Sequence, residues 1–311
     1  MALLHVRVVS PASLRREVEA ILTGQPGATN VVMLPGVARA PEGDLFLADL
    51  ARECVQQVVS ELRELGVERD GSISWGAVDT AIGEGMRRAE LDAPGDSADA
   101  VIWDEIVEST GEESTLNWTF MAFMVLACIL AAIGVATNSP ITLVGAMVVG
   151  PEFGPLAGVA VGLRLRRWDA VRRGIVALAV GYAGAIALTS VMAVVWRATG
   201  LVTEHDLAVS TGTEFIYQPG WFSIITAVVA GAAGTLSLTS AKSAALVGVF
   251  ISVTTIPAAG NGALALVFGL FHDAAGSALQ LLINLTGIVV AAYLVLLARG
   301  APGRREQRPR P

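Results

Sequence analysis

The sequence predicts an α-helical, multi-span membrane protein with a small α+β domain at its N-terminus. Three observations carry that prediction. The chain of 311 residues has a mean hydropathy of +0.61, yet its long apolar runs all fall after residue 117. Residues 1–117 hold nine arginines, no lysine and 21 acidic groups, whereas 118–311 hold 12 basic and 7 acidic groups. Six of the later runs have the ~20 residues needed to cross a hydrocarbon core of ~30 Å. The first part therefore reads as a soluble acidic domain and the second as a membrane domain.

In the soluble part, residues 3–9 alternate and are β-branched, which predicts a strand. Residues 13–22 carry Leu14, Val18, Ile21 and Leu22 at helical spacing. Short strands are expected at 31–34 and 45–50, separated by a Pro/Gly-rich turn. An amphipathic helix follows at 52–65, with Val55, Val58, Val59, Leu62 and Leu65 on one face, and a last strand at 73–78. The order β-α-β-β-α-β is the ferredoxin-like arrangement, which ACT-like regulatory domains also use. A domain at 1–91 is thus expected to bind a small ligand or pair with a copy of itself; a structural cap that helps assembly is the plainer alternative. Residues 92–117 read as a linker, D-A-P-G-D-S-A-D-A, and an amphipathic helix at 101–110. That helix has an acidic outer face and is expected to lie along the membrane surface or against the first domain.

The membrane domain, 118–298, divides into spans at 118–137, 141–163, 174–196, 221–239, 243–271 and 275–298. Trp118, Trp168, Trp196 and Trp221 stand at or just beyond their ends, as interfacial anchors do. The loop after the second span carries Arg164, Arg166, Arg167, Arg172 and Arg173. The tail at 299–311 carries Arg299, Arg304, Arg305, Arg308 and Arg310. The positive-inside rule puts both in the cytoplasm, so six spans leave the N- and C-termini there and the 197–220 loop outside. The first ten residues have no basic n-region and are broken by His5 and Arg7, unlike a signal peptide.

Two stretches interrupt their spans. L-V-G-A-M-V-V-G-P-E-F-G-P at 143–155 and L-V-G-V-F-I-S-V-T-T-I-P-A-A-G-N-G at 246–262 both begin L-V-G and run into a Pro/Gly cluster. They are the middle spans of two three-span halves, one entering from the cytoplasm and the other from outside. The pattern predicts a 3+3 inverted repeat with broken middle helices, and such breaks mark solute sites in transporters. Freed backbone groups cannot face lipid, so they meet protein, water or a solute. A half-helix starting near Leu156 turns its positive end toward the break and suits an anion. The candidate site is therefore Gly150, Pro151, Glu152, Gly154 and Pro155 with Pro257, Gly260, Asn261 and Gly262. Glu152 stands out, since a charge at mid-membrane costs about 2.5–3.5 kcal/mol on insertion scales. Asn138 and Asn284, in or beside spans, either line the cavity or hydrogen-bond between helices.

Other chemistries find little support. The acidic soluble part has no basic face for nucleic acid. Cys54 and Cys128 fall in different domains, and no Cys/His spacing suggests a metal site, so neither metal nor cofactor is expected. Glu152 lacks a second catalytic group, and no enzyme is expected.

The runs W-D-E-I-V-E-S-T-G-E-E-S-T-L-N-W-T-F, A-A-I-G-V-A-T-N-S-P, V-G-A-M-V-V-G-P-E-F-G-P and N-L-T-G-I resemble the domain of unknown function 389 family of bacterial membrane proteins, over residues 101–298. The resemblance implies a multi-pass inner-membrane protein and brings no activity with it. Two departures matter. That family has apolar residues between the two prolines, roughly P-L-M-G-P, where this chain has Glu152. Its second break commonly carries a double proline, where this chain has Pro257 alone. The expected function is a secondary transporter or channel for a small polar or anionic solute, embedded in membrane lipid and homo-oligomeric. The alternative is a membrane-anchored sensor or oligomeric scaffold that binds a ligand in its soluble domain.

Overall fold

Period-two alternation builds the first unit. In the computed structural model, which describes residues 3–78, 80, 82–96, 100–209, 220–240 and 255–300, strand β1 (Leu3–Ser10) buries Leu4, Val6 and Val8 and exposes His5 and Arg7. With β2 (Ala28–Arg39), β3 (Glu42–Ala51) and β4 (Ser72–Ala77) it forms a four-stranded sheet in the order β2-β3-β1-β4, each neighbouring pair antiparallel. A 3-10 turn, Ala12–Leu14, leads into helix α1 (Arg15–Thr23), and α2 (Arg52–Glu64) follows β3. Val18 and Leu22 of α1, with Val55, Val58, Val59 and Leu62 of α2, share one buried cluster with Phe46, Ala48 and Leu50 of the sheet. A short helix α3 (Val67–Asp70) precedes β4. The element order is the expected β-α-β-β-α-β.

Three local readings change. β2 does not stop at residue 34 but runs on through Pro35 and Gly36. It is an edge strand, so the missing N–H of Pro35 need not cost a ladder bond. Register shifts at Thr29/Val32 and Leu34/Ala38 absorb the left-handed Asn30 (φ 53°) and Gly36 (φ 65°). A further helix, α4 (Glu84–Asp92), follows the sheet. Ala93, read as the start of a linker, is buried with Leu3, Ala51 and Cys54. The helix expected at 101–110 is α5 (Trp103–Glu113).

One ion pair pins the edge hairpin to α1. Asp44 is fully buried and accepts from Arg15 Nε at 2.6 Å, Arg15 Nη2 at 2.9 Å and the Gly36 backbone N–H at 2.8 Å. The Arg15 guanidinium holds the Asp44 carboxyl below its usual range, against the opposing effect of burial.

The chain divides into two compact units, one built mainly of residues up to Asp104 and the other of Glu105–Leu238 and Ser243–Gly300. The second is helical throughout its described residues: α6 (Trp118–Ala136), α7 (Pro140–Val149), α8 (Phe153–Leu165), α9 (Trp168–Thr199), α10 (Glu204–Val209), α11 (Trp221–Thr239), α12 (Thr255–Phe268) and α13 (Phe271–Ala298). Helices α6, α9, α11 and α13 have 19, 32, 19 and 28 residues and are apolar enough to cross a membrane. Their outer faces expose Leu126, Val191, Val229, Leu282 and Leu294. So much exposed hydrocarbon on consecutive helices belongs in lipid. The Arg-rich loop is shorter than the sequence suggests. Arg172 and Arg173 lie inside α9, and Arg166, in left-handed conformation (φ 56°), makes the turn.

The second span is broken: α7 and α8 meet at 53° across Gly150–Glu152. At ~1.5 Å per residue neither piece crosses a ~30 Å core alone. The fifth span differs from expectation. Residues 257–262 are not unwound but lie within α12, and the part of that span before Thr255 lies outside the described residues. Pro257 is the third residue of α12, as Pro155 is the third of α8. In the first turn of α8 the missing N–H of Pro155 costs no helical bond. Gly260 serves packing instead: a Cβ there would lie 2.7 Å from Ala131 Cβ and 2.8 Å from the Ala132 nitrogen of α6.

Replacing Asp44 by Asn keeps the side-chain shape and removes the ion pair. Because the folded-state pKa lies below the unfolded one, the stabilisation is present above about pH 4 and is lost as pH falls through the folded value. Hydrogen exchange followed peptide by peptide should show wild-type protection of β2 and β3 dropping in acid. The Asn variant should be less protected at neutral pH and show no such acid step. Equal protection in both proteins at neutral pH would contradict the role given to Asp44.

Candidate functional site

Glu152 takes the N-cap position of α8 in a right-handed conformation, and its side chain does not cap its own helix. The carboxylate turns the other way and is fully buried. Its Oε1 accepts a 2.8 Å hydrogen bond from Oγ1 of Thr255, the first residue of α12. The start of α8 and Thr255 of α12 are thereby joined through one side chain. Gly150 makes room for this: a Cβ there would lie 2.3 Å from Glu152 Oε2 and 2.9 Å from Ile256 Cγ1.

Electrostatics favour a negative group at this point. Each helix N-terminus carries roughly half a positive elementary charge, from N–H groups with no intrahelical partner. The start of α8 at Glu152 supplies one such end, and the Thr255 hydroxyl supplies a hydrogen bond; both offset part of the cost of burying the carboxylate. The phenol of Tyr182, from α9, is buried and interacts with both Glu152 and Thr255. Buried Cys128 of α6 and Thr189 of α9 extend the polar cluster.

The other candidate residues fall in several places. Pro151 lies in the break itself. Gly154 and Gly158 take a different neighbour: Cβ atoms on them would meet Glu113 Cβ at 2.2 Å and Ser114 Oγ at 2.4 Å. Ser114 also donates to the Gly154 carbonyl at 3.3 Å, so the chain just after α5 lies against the first turns of α8. Burial, with Glu112 nearby, pushes the Glu113 carboxyl up. Pro155 presents its carbonyl to Gly174 of α9.

Asn261 of α12 donates to Ser277 Oγ at 2.8 Å, and Gly262 is near the same side chain. Asn284 accepts from Gln280 at 3.4 Å, both buried on α13. These residues form a second polar group between α12 and α13. Asn138 joins neither: it is exposed in the turn between α6 and α7, with φ 48°. An apolar groove of about 570 Å³ between α8, α9 and α13 is lined by Leu156, Leu178, Tyr182 and Leu285. Its lining suits hydrocarbon rather than a polar solute.

Sequence reading singled out neither Thr255 nor Tyr182. Thr255 had a usable signal, since it stands two residues before Pro257 as Phe153 stands before Pro155. Tyr182 had none, being one apolar-looking residue in a long span.

Residues 147–290 match the profile of the family described as Domain of unknown function (DUF389). An uncharacterized protein of Methanocaldococcus jannaschii, MJ0678, is 23% identical over 203 residues, covering 64% of this chain and 60% of that one. The chain thus spans about 60% of the length of the curated relative it matches. No solved structure matches. The matched segment contains Glu152, Thr255 and Tyr182, together with the start of α8. Residues 147–290 of this chain are thus similar to the DUF389 family.

Proposed function

We propose that the protein is a secondary transporter or channel for a small polar or anionic solute, working through the junction of α8 and α12. The observation that carries this reading is the Thr255–Glu152 hydrogen bond, which ties the start of α8 to α12 deep in the membrane unit. Helix N-termini that point into a buried polar junction are a means of holding an anionic solute away from lipid.

The repeat supports the same reading. Elements start in matching pairs, Trp118 with Trp221 and Trp168 with Phe271, each offset by 103 residues, and Pro155 and Pro257 are offset by 102. Packing also exchanges as a twofold requires: α8 packs on α13 while α12 packs on α9. In this reading six spans form two inverted halves in a bacterial inner membrane, with both termini cytoplasmic. The first unit is a ferredoxin-like, ACT-like regulatory domain. Its edge strand β2 exposes Val32, Leu34 and Val37, which suits pairing with a second copy in a homo-oligomer. No enzymatic step is assigned.

Topology is open to labelling in intact cells. Both native cysteines are buried and should give little background. A cysteine at position 307 should resist an impermeant reagent, and one at 201 should react. Rapid labelling at 307 would contradict the orientation.

Function is tested by reconstitution. Purified protein in liposomes should dissipate a gradient of at least one small anion. Thr255→Val, which keeps the side-chain shape and removes the hydroxyl, should slow that flux several-fold. A well-folded wild-type protein that passes no anion, and is stabilised by none in a thermal-shift screen, would overturn the transport reading.

A further inference from the structure

Helices that face lipid can pack without leaving a hollow, yet three helices of the membrane unit enclose one. The apolar groove of about 570 Å³ has Leu156 and Val159 of α8 as its floor and α9 and α13 as its walls. On α9 its lining includes Ile175, Ala179 and Tyr182. The same stripe runs back through Arg172 to Trp168, so that its members are spaced four, three, four and three residues apart. Residues at that spacing share one face of a helix. Read from the start of α9, the wall is therefore an exposed indole, an exposed guanidinium and then an apolar lining that ends at Tyr182. From Trp168 to Tyr182 it covers ~21 Å at ~1.5 Å per residue, about half of the ~40–45 Å that hydrocarbon and headgroups occupy together. On α13 the groove is lined by Leu282, Thr286 and Val289, and Tyr293 continues their face toward Arg299.

Charge at the outer end of the groove is mostly of one sign. Residues 160–180 hold five arginines and one acidic group, Asp169. Asp169 is paired with Arg173 at 3.4 Å. Arg164 turns to the end of α13, where it donates to the Gly300 carbonyl at 2.8 Å. Arg172 makes no ion pair among the described residues and stands on the stripe that lines the groove. A guanidinium at the head of an apolar groove, next to an interfacial tryptophan, complements a molecule with a phosphate at one end and hydrocarbon at the other.

We propose that the groove binds one acidic phospholipid, with an acyl chain against Leu156, Ile175 and Leu282 and the phosphate at Arg172. Charge selects the headgroup. A zwitterionic lipid carries its own cation, which the neighbouring arginines repel, whereas an acidic lipid presents its phosphate charge uncompensated. The deep end of the groove reaches Leu156, whose N–H donates to the Glu152 carbonyl at 3.2 Å, and Tyr182, whose phenol interacts with Glu152. An occupant there holds α8 against α9 and α13 beside the break. The proposal requires only that the unit lies in a membrane and is independent of the transport reading.

The test uses the full chain, delipidated in detergent, and compares phosphatidylglycerol with phosphatidylcholine of the same acyl chains. Native mass spectrometry should show one phosphatidylglycerol retained per chain, and this lipid should raise the melting temperature more than phosphatidylcholine does. Arg172→Gln should weaken phosphatidylglycerol binding about fivefold and leave phosphatidylcholine unchanged. Arg166→Gln, in the turn before α9, should cost less than Arg172→Gln. Ala179→Phe, which fills the groove from an exposed position, should weaken both lipids.

Equal retention of the two lipids by wild type overturns the acidic headgroup. Equal losses in the two Gln variants with no loss in Ala179→Phe mean a diffuse basic surface and overturn the groove as the site. Inorganic phosphate that stabilises as strongly as phosphatidylglycerol overturns the lipid as ligand. A dimer that retains no lipid and dissociates in Ala179→Phe makes a second copy the occupant and overturns the proposal as well.

Discussion

A backbone that breaks inside a membrane must satisfy its polar groups without water, and in this protein one side chain at the break ties two helices together. The hydrogen bond from Thr255 to Glu152 joins the start of α8 to α12. Without a negative group there, the Thr255 hydroxyl and the start of α8 would lose an acceptor in a medium that screens charge poorly. A lone buried carboxylate would be equally unfavourable. Each makes the other tolerable. The surrounding close contacts, Gly150 under the carboxylate and Gly260 against α6, allow the backbones to approach far enough for this pairing.

The rest of the membrane unit is arranged around that junction. Small residues bring the helices together, as expected where no hydrophobic force drives one apolar helix onto another in lipid. Gly181 meets Phe120 of α6, Gly174 meets Val159 of α8, and Gly231 of α11 meets the backbone at Ile288 of α13. The chain after α5 packs along Gly154 and Gly158 and so reaches the first turns of α8 next to Glu152. In the first unit the corresponding constraint is ionic: the Arg15–Asp44 pair fixes the β2–β3 hairpin against α1.

Much of this was legible in the sequence, for physical reasons that differ by element. Alternation in β1 and the amphipathic stripe of α2 reported burial directly, because each has one wet and one dry face. The break at Gly150–Glu152 was legible because a membrane helix rarely carries Pro, Gly and a carboxylate together. The second cluster misled for a related reason. Pro257 lies within α12, and Gly260 acts in close packing rather than unwinding. Asn138 looked like a site residue because it is polar beside a span, yet it serves the left-handed turn between α6 and α7. Thr255 and Tyr182 were hidden because a hydroxyl on an apolar helix has no periodicity to betray it; only tertiary packing brings them to Glu152. The length of β2 was missed because Pro35 and Gly36 usually end a strand, and an edge position removes that penalty.

The account turns on whether Glu152 and Thr255 act on each other. A double-mutant cycle measures this directly, using Glu152→Leu, Thr255→Val and the pair, with thermal or denaturant unfolding in detergent. Either single change leaves the other residue without this hydrogen bond, whereas the double change removes both side chains. The coupling energy should therefore be about 1–3 kcal/mol, the double variant being more stable than the sum of the singles implies. Additivity within about 0.3–0.5 kcal/mol would show that the two residues do not interact, and would contradict the junction on which the account is built.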